Sequence, residues 1–286
     1  MWYFAFMSLR TRDRDIHILD WSFNDVSESK SIYLLSDIHF DSNKCDRKLL
    51  FKHLKEAQET DSQVFMFGDL YDLMHMPTDY RGTYTTLRPE LKATAYIDEV
   101  IKDCVEQLMP YKDNIALISQ GNHETNIIKR HGVDPIQRTI GALNADGGQV
   151  VAGYYAGWVI IKCDSKGNGG RKSYPLHYHH GYGGGKRSKG ALNVDIDMKD
   201  YPQAKILARG HTHHKWYFPI TRDVLTSNFN HAQEVVHVLQ TGSYKKKDRS
   251  MGWEVEKAFA TPTLGGWKMT WKPYGKSYHI EVQELN

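Results

Sequence analysis

Cysteine is scarce: 286 residues contain three, Cys45, Cys104 and Cys163, and none sits in a Cys-x-x-Cys pair. An odd number at wide spacing argues against a disulfide framework and against a thiolate zinc site, and a reducing cytoplasm is the expected setting. Long apolar runs are missing as well, since no stretch approaches the ~18 residues that a membrane span needs. The opening MWYFAFMSLRTR is apolar and aromatic, yet it is too short for a signal core and has no basic residues ahead of it. A first strand or sheet edge is expected there, and no membrane partner. Charge of one sign is also lacking: Lys plus Arg number 37 against 34 Asp plus Glu, a net +3. Any preference for polyanions must therefore come from local patches. Repeats and low-complexity linkers are absent from the sequence. A hydrophobic content of 40% with 25% charged residues suits one globular domain over 1–286.

Histidine, by contrast, is plentiful, with 15 residues, several in short clusters. Imidazole serves both as metal ligand and as proton carrier near neutrality. Apolar, β-branched or aromatic runs predict strands at 31–36, 63–67, 115–119, 155–163, 174–179 and 204–208, each followed by glycine or polar residues. Helices are predicted at 44–59 and 90–109, the second carrying Leu91, Ile97, Val100, Ile101, Cys104, Val105 and Leu108 on one face between Pro89 and Pro110. Such alternation is that of a layered α/β domain. The second half turns strand-rich, and GWKMTWKPYGKSYHIEVQ at 266–283 reads as a hairpin around Pro-Tyr-Gly-Lys. Trp253, Trp267 and Trp271 lie in strand-like surroundings and read as packing residues, as do His53 and His75, the latter two at the surface or in packing.

The polar ends of the strands carry the chemistry. SDIHFD at 36–41 closes an apolar run with Asp37, His39 and Asp41, groups that are costly to bury unless something pairs with them. Four other runs close alike: GDLYD with Asp69, QGNHE with Asn122 and His123, HYHHG with His177, His179 and His180, and GHTHH with His211, His213 and His214. Open α/β sheets place ligand sites at the carboxyl ends of their strands. Asp, His and Asn without Cys suit a divalent ion such as Mn²⁺, Fe²⁺ or Zn²⁺. Two ions about 3.5–4 Å apart, bridged by a carboxylate, clamp a phosphate and activate water; Asp69 is the natural bridge. Asp41 and Asp72 follow the ligands closely and read as turn or supporting groups. The glycines before Asp69, Asn122 and His211 are expected to let the backbone turn sharply there.

Asp37-x-His39, Gly68-Asp69, Gly121-Asn122-His123-Glu124, His180-Gly181 and Gly210-His211-x-His213, in this order, resemble the signature of the calcineurin-like metallophosphoesterases. The resemblance implies an α/β four-layer sandwich of two mixed sheets flanked by helices, holding two divalent metal ions, manganese first. One ion would take Asp37, His39, Asp69 and His213; the other would take Asp69, Asn122, His180 and His211. His180 leads among the histidines of HYHHG because the family ligand directly precedes glycine. His123 would face the substrate and protonate the leaving oxygen or stabilise the developing charge, and Glu124 would orient a neighbour. The implied activity is metal-dependent phosphoester hydrolysis.

Substrate class rests on charge. Residues 165–190 contain Lys166, Arg171, Lys172, Lys186, Arg187 and Lys189 and no acid, and a second basic run, KKKDR, follows at 245–249. Lys186, Arg187 and Lys189, on a glycine-rich loop that begins at His180, are placed to grip phosphates beyond the scissile one. A phosphodiesterase or nuclease acting on DNA or RNA is the expected function. The ligands resemble those of double-strand-break repair nucleases, although a long DNA-binding or coiled-coil-docking extension is lacking, which argues against processive resection of duplex ends. A small-substrate phosphomonoesterase or nucleotide hydrolase is the alternative. A lipid-pyrophosphate hydrolase is disfavoured without an amphipathic surface helix, and a catalytically dead scaffold is disfavoured because every ligand position is filled.

Overall fold

The computed structural model describes residues 9–74, 87–91, 95–166, 170–183, 188–247, 253–256, 258 and 260–286. Strands β1 (Arg10–Asp13), β2 (Ile16–Phe23), β3 (Lys30–Leu35), β4 (Gln63–Phe67), β5 (Ile115–Ser119) and β6 (Val151–Gly153) precede a long hairpin, β7 (Ala156–Ser165) and β8 (Gly170–His179). Then follow β9 (Ile206–Arg209), β10 (Trp216–Leu225), β11 (His231–Gln240), β12 (Trp267–Tyr274) and β13 (Ser277–Glu284). The helices are α1 (Arg47–Glu59), α2 (Tyr96–Leu108), α3 (Asn122–His131), α4 (Pro135–Ala145), α5 (Val194–Asp200) and α6 (Trp253–Glu256). Two mixed sheets result, one ordered β1-β2-β7-β8-β9-β11-β10 and the other β13-β12-β3-β4-β5-β6.

Strands β3, β4 and β5 are apolar on both faces because both faces are covered. Ile32, Leu34, Phe65, Phe67 and Leu117 meet Leu19, Trp21, Ile161, Tyr178 and Leu239 of the other sheet. The alternate side chains, Tyr33, Leu35, Val64, Met66 and Ile118, pack under Leu50 and Leu54 of α1, Val100 and Cys104 of α2, and Ile140 and Leu143 of α4. On the far side, Leu207, Val236 and Val238 are covered by Val194 and Met198 of α5. Helices, sheet, sheet and a short helix thus form four layers. No helix among the described residues is long and apolar enough to cross a membrane.

Several boundaries shift. The Asp46 carboxylate caps α1 by accepting Leu49 N–H at 3.2 Å, so the helix starts three residues later than its apolar pattern. Pro89–Leu91 forms a separate 3₁₀ turn ahead of α2. Helices α3 and α4 escape the periodicity reading although their punctuation is present: Gly132 ends α3 at φ 66, and Asp134 caps α4 with Pro135 in its first turn. Trp267 and Trp271 are buried on β12, but Trp253 opens α6 rather than a strand, in keeping with the helix-forming Glu and Lys around it. The reading of residues 1–8 as a strand lies outside the described residues, as does that of His75.

The β7–β8 hairpin places the first of the two basic loops. Lys166, Arg171 and Lys172 lie at its tip, where Arg171 pairs with Asp164 at 2.9 Å. Ten residues of β8 at about 3.4 Å each put that tip roughly 30 Å from the turn after His179. Lys166, Arg171 and Lys172 are therefore remote from the histidines, and of the two basic segments only the one that begins at His180 adjoins them.

Candidate metal centre

Strands β3, β4 and β5 run parallel in one sheet, and β8 and β9 run parallel in the other. Their carboxyl ends converge. The chain turns there in an uncommon way, because Asp37, His39, Asp69, His211 and His213 all adopt left-handed φ values, 51°, 50°, 49°, 74° and 56°. A non-glycine residue in this region costs on the order of 1–3 kcal/mol and persists only where surrounding structure imposes it. The strain falls on the polar residues themselves.

Of the neighbouring glycines, one meets the expectation of a sharp turn and one does not. Gly68 does turn, at φ 82°, but Gly121 is extended, and its role is space: a Cβ there would collide with Asp69 Oδ1. Glycine before Asn122 permits close approach rather than a sharp bend.

Among the described residues three overlapping groups form: Asp37, His39 and His213; His39, Asp69 and His123; and Asp69, His180 and His211. In the first, His213 Nε2 lies 3.3 Å from Asp37 Oδ1 and 3.2 Å from His39 Nε2. In the last, His180 Nε2 lies 3.2 Å from Asp69 Oδ2 and 3.1 Å from Asn122 Oδ1, which is also 2.8 Å from His211 Nδ1. Asp69 is common to the second and third groups, and His39 links the first to the second. His179, with its ring accepting Gly181 N–H at 2.8 Å, and His177, stacked on Tyr201 at 3.6 Å, point elsewhere. His214 stays outside the groups, half-buried beside Lys189.

The donor atoms fit divalent ions. His180 Nδ1 donates to the Phe67 carbonyl (2.8 Å) and His39 Nδ1 to Asp72 Oδ1 (2.8 Å), so each ring turns its Nε2 toward the cluster. Burial, together with Lys245, lowers His39 to about 4 against the pull of Asp72, leaving that ring neutral with an open lone pair. Burial also disfavours charge on His180, but Asp69 overrides it and raises the ring to about 10; a cation at that nitrogen would displace the proton. Asp37 Oδ1 is buried with no hydrogen bond. Carboxylate, amide and imidazole lone pairs facing one another need a positive charge between them.

Around this cluster sits a supporting layer. Glu124 accepts N–H groups from Asp69 (3.1 Å), Tyr71 (2.9 Å) and Gly121 (2.7 Å), tying the β4 and β5 turns together; burial and Asp69 push its carboxyl up to about 7 against those bonds. Asp41 accepts Asp72 N–H (2.6 Å), Leu73 N–H (2.9 Å) and the Tyr96 hydroxyl (2.7 Å). Asp72 receives Lys245 Nζ at 2.7 Å as well as His39. Sequence reading missed Lys245: it stands first in a basic run that looks solvated, and only folding brings it to Asp72. Lys246 likewise pairs with Asp46 at 2.6 Å.

His123 stands at the edge of the cluster. Its N–H donates to Asp69 Oδ1 (3.0 Å) and its Nδ1 donates to the Asp72 carbonyl, leaving Nε2 3.7 Å from Asp69 Oδ2. Burial opposes a charge on this ring, while Asp69 and Asp72 outweigh it and raise its pKa. Lys189 is exposed, and its carbonyl accepts the Trp216 indole N–H at 3.1 Å. Lys186 and Arg187 lie outside the described residues.

No protein-family model and no curated protein matches the chain. Solved structures similar to it include a Thermotoga maritima protein, with 14% identity over 90% of this chain and 99% of that one and a TM-score of 0.35. Another, from Streptococcus pneumoniae, is described as a conserved predicted phosphoesterase: 12% identity, 90% of this chain and 91% of that one, TM-score 0.32. A third is Vps29 of Entamoeba histolytica complexed with zinc: 10% identity, 90% and 99%, TM-score 0.34.

Proposed function

We propose that this chain is a dinuclear-metal phosphoester hydrolase that acts on phosphodiester bonds of nucleic acid. What carries the reading is the position of Asp69, a buried carboxylate common to two of the three clusters and held by Glu124 through its own backbone. Asp37, His39, Asp69 and His213 would hold one ion, and Asp69, Asn122, His180 and His211 the other. Manganese suits this oxygen and nitrogen set, as do iron and zinc. Such ions supply neutralisation of phosphoryl charge and activation of water.

The chain's own groups do the rest. Asn122 and His123 open α3, whose N-terminal N–H groups favour an anion in front of them. His123, anchored through Nδ1, presents Nε2 as the group that hands a proton to the leaving oxygen. Glu124, Asp41 and Asp72 hold the turns so that these atoms stay in place. Exposed Lys189, with Lys186 and Arg187 before it in sequence, would meet phosphates flanking the bond that breaks.

One observation favours a small phosphomonoester or nucleotide instead. Lys166, Arg171 and Lys172 are remote, and Lys245 and Lys246 are engaged by Asp72 and Asp46, so the basic surface beside the cluster is narrower than the sequence suggests. A substrate panel separates the two. Protein supplied with Mn²⁺ is expected to hydrolyse bis-p-nitrophenyl phosphate and single-stranded DNA faster than p-nitrophenyl phosphate. The reverse order would give the small-substrate reading precedence, and inactivity on all three would remove the enzymatic one.

A further inference from the structure

Three residues after His213 the chain enters β10, an edge strand. Trp216 and Phe218 share one face of it and stack on each other, with ring centroids 4.9 Å apart and planes 25° from parallel. The Trp216 indole is pinned by its bond to the Lys189 carbonyl, at the root of the basic loop. Phe218 is 44% exposed. Next on the same face, Ile220 borders an open groove of about 450 Å³ whose other wall is Ala191, Val194 and Met198. Asp195 at its rim pairs with Lys199 at 2.6 Å. An exposed ring that extends a fixed aromatic stack beside an apolar groove offers a flat ligand a face to lie on.

We propose that Trp216, Phe218 and the adjoining groove form a base-stacking subsite, which takes one unpaired nucleobase of a strand whose scissile phosphate lies at the metal cluster. The inference rests on the phosphodiesterase reading above. Its reach is set by the chain: from His213 the three residues to Trp216 span at most about 11 Å and the five to Phe218 about 18 Å. A strand covers that distance in a few nucleotides. The stacking rings offer a π-face with no hydrogen-bond partner for a base edge, so the subsite is indifferent to base identity. It demands that the base be free of its duplex partner.

The test uses the full chain with Mn²⁺, single-stranded eight-nucleotide DNA, and the same DNA carrying one abasic residue at each position in turn. Phe218→Ala is expected to lower kcat/KM on intact DNA about 5- to 150-fold, the range that one base on an aromatic ring carries, and Phe218→Tyr to restore it. An abasic residue at one position, a few nucleotides from the cut, should cost the wild type a similar factor, and the two losses should not add. Additive losses, or an abasic scan without a sensitive position, would overturn the subsite while cleavage of the intact DNA keeps the nuclease reading standing. Wild-type protein that hydrolyses bis-p-nitrophenyl phosphate yet neither binds nor cuts DNA would overturn both. A dimer in sedimentation that Phe218→Ala dissolves would give the groove to a second copy of the chain. The abasic scan on the wild type decides the matter even where the alanine variant fails to fold.

Discussion

His39 Nδ1 and Asp72 Oδ1 meet at 2.8 Å with both side chains buried, and the same carboxylate oxygen receives Lys245 at 2.7 Å. The contact fixes which nitrogen of His39 faces the cluster. Asp72→Asn loosens that choice and should weaken metal binding about 10- to 100-fold, as loss of an orienting partner usually does. Competition with a chromogenic chelator measures it. An unchanged affinity would separate His39 from metal binding.

A second expectation separates proton transfer from metal binding. His123→Ala should retain both ions by elemental analysis while turnover falls by about 10²–10⁴, the usual worth of a positioned acid. The loss should shrink for leaving groups of low pKa, which need little protonation. Equal losses across a series of aryl phosphodiesters would take the acid role from His123.

Left-handed backbone at His213 gives a third. With φ at 56°, alanine is strained there and glycine is not. His213→Gly should therefore exceed His213→Ala in stability by about 1 kcal/mol in urea unfolding without metal, although both lose the ligand. Equal stabilities would mean that the turn relaxes once the imidazole is gone.

Acid sensitivity should have a source outside the cluster. Burial lowers His237 to about 4, so between pH 4 and its ordinary value near 6.5 the unfolded chain binds a proton that the folded chain does not. Its contribution is complete above pH 6.5 and fades as pH falls toward 4, amounting to about 2 kcal/mol lost at pH 5. Unfolding at pH 7.5 and pH 5 should show wild type losing that much more than His237→Gln. Parallel losses would assign the acid sensitivity to other groups.

The strands of the site were legible because burial on both faces writes itself as unbroken apolar runs; 63–67 and 115–119 coincide with β4 and β5. Punctuation at their ends was legible for the same reason, since polar groups at the close of a core strand need a partner. Helix α3 was not, because most of its residues serve the site or the solvent and only Glu124 and Ile127 are buried, too few to show a period. Lys245 was hidden for another reason: it reaches Asp72 from 173 positions away, and nothing local distinguishes it from Lys246 and Lys247 beside it. The remoteness of Lys166, Arg171 and Lys172 is legible in outline, since a strand is expected at 174–179 between the two basic loops, and only its full ten-residue length had to come from the structure.

The pairing of β3 with β12 bears on how the chain is made. Ser31 and Thr270, 239 residues apart, share a hydrogen bond of 2.8 Å across these two strands. During synthesis at 5–20 residues per second, β3 therefore waits roughly 10–50 s for its antiparallel neighbour. Through that interval an apolar strand edge, the one that leads into Asp37 and His39, stands open to intermolecular pairing. The β12–β13 hairpin closes it, so ribosome-bound chains stalled before residue 267 should be the ones that engage chaperones.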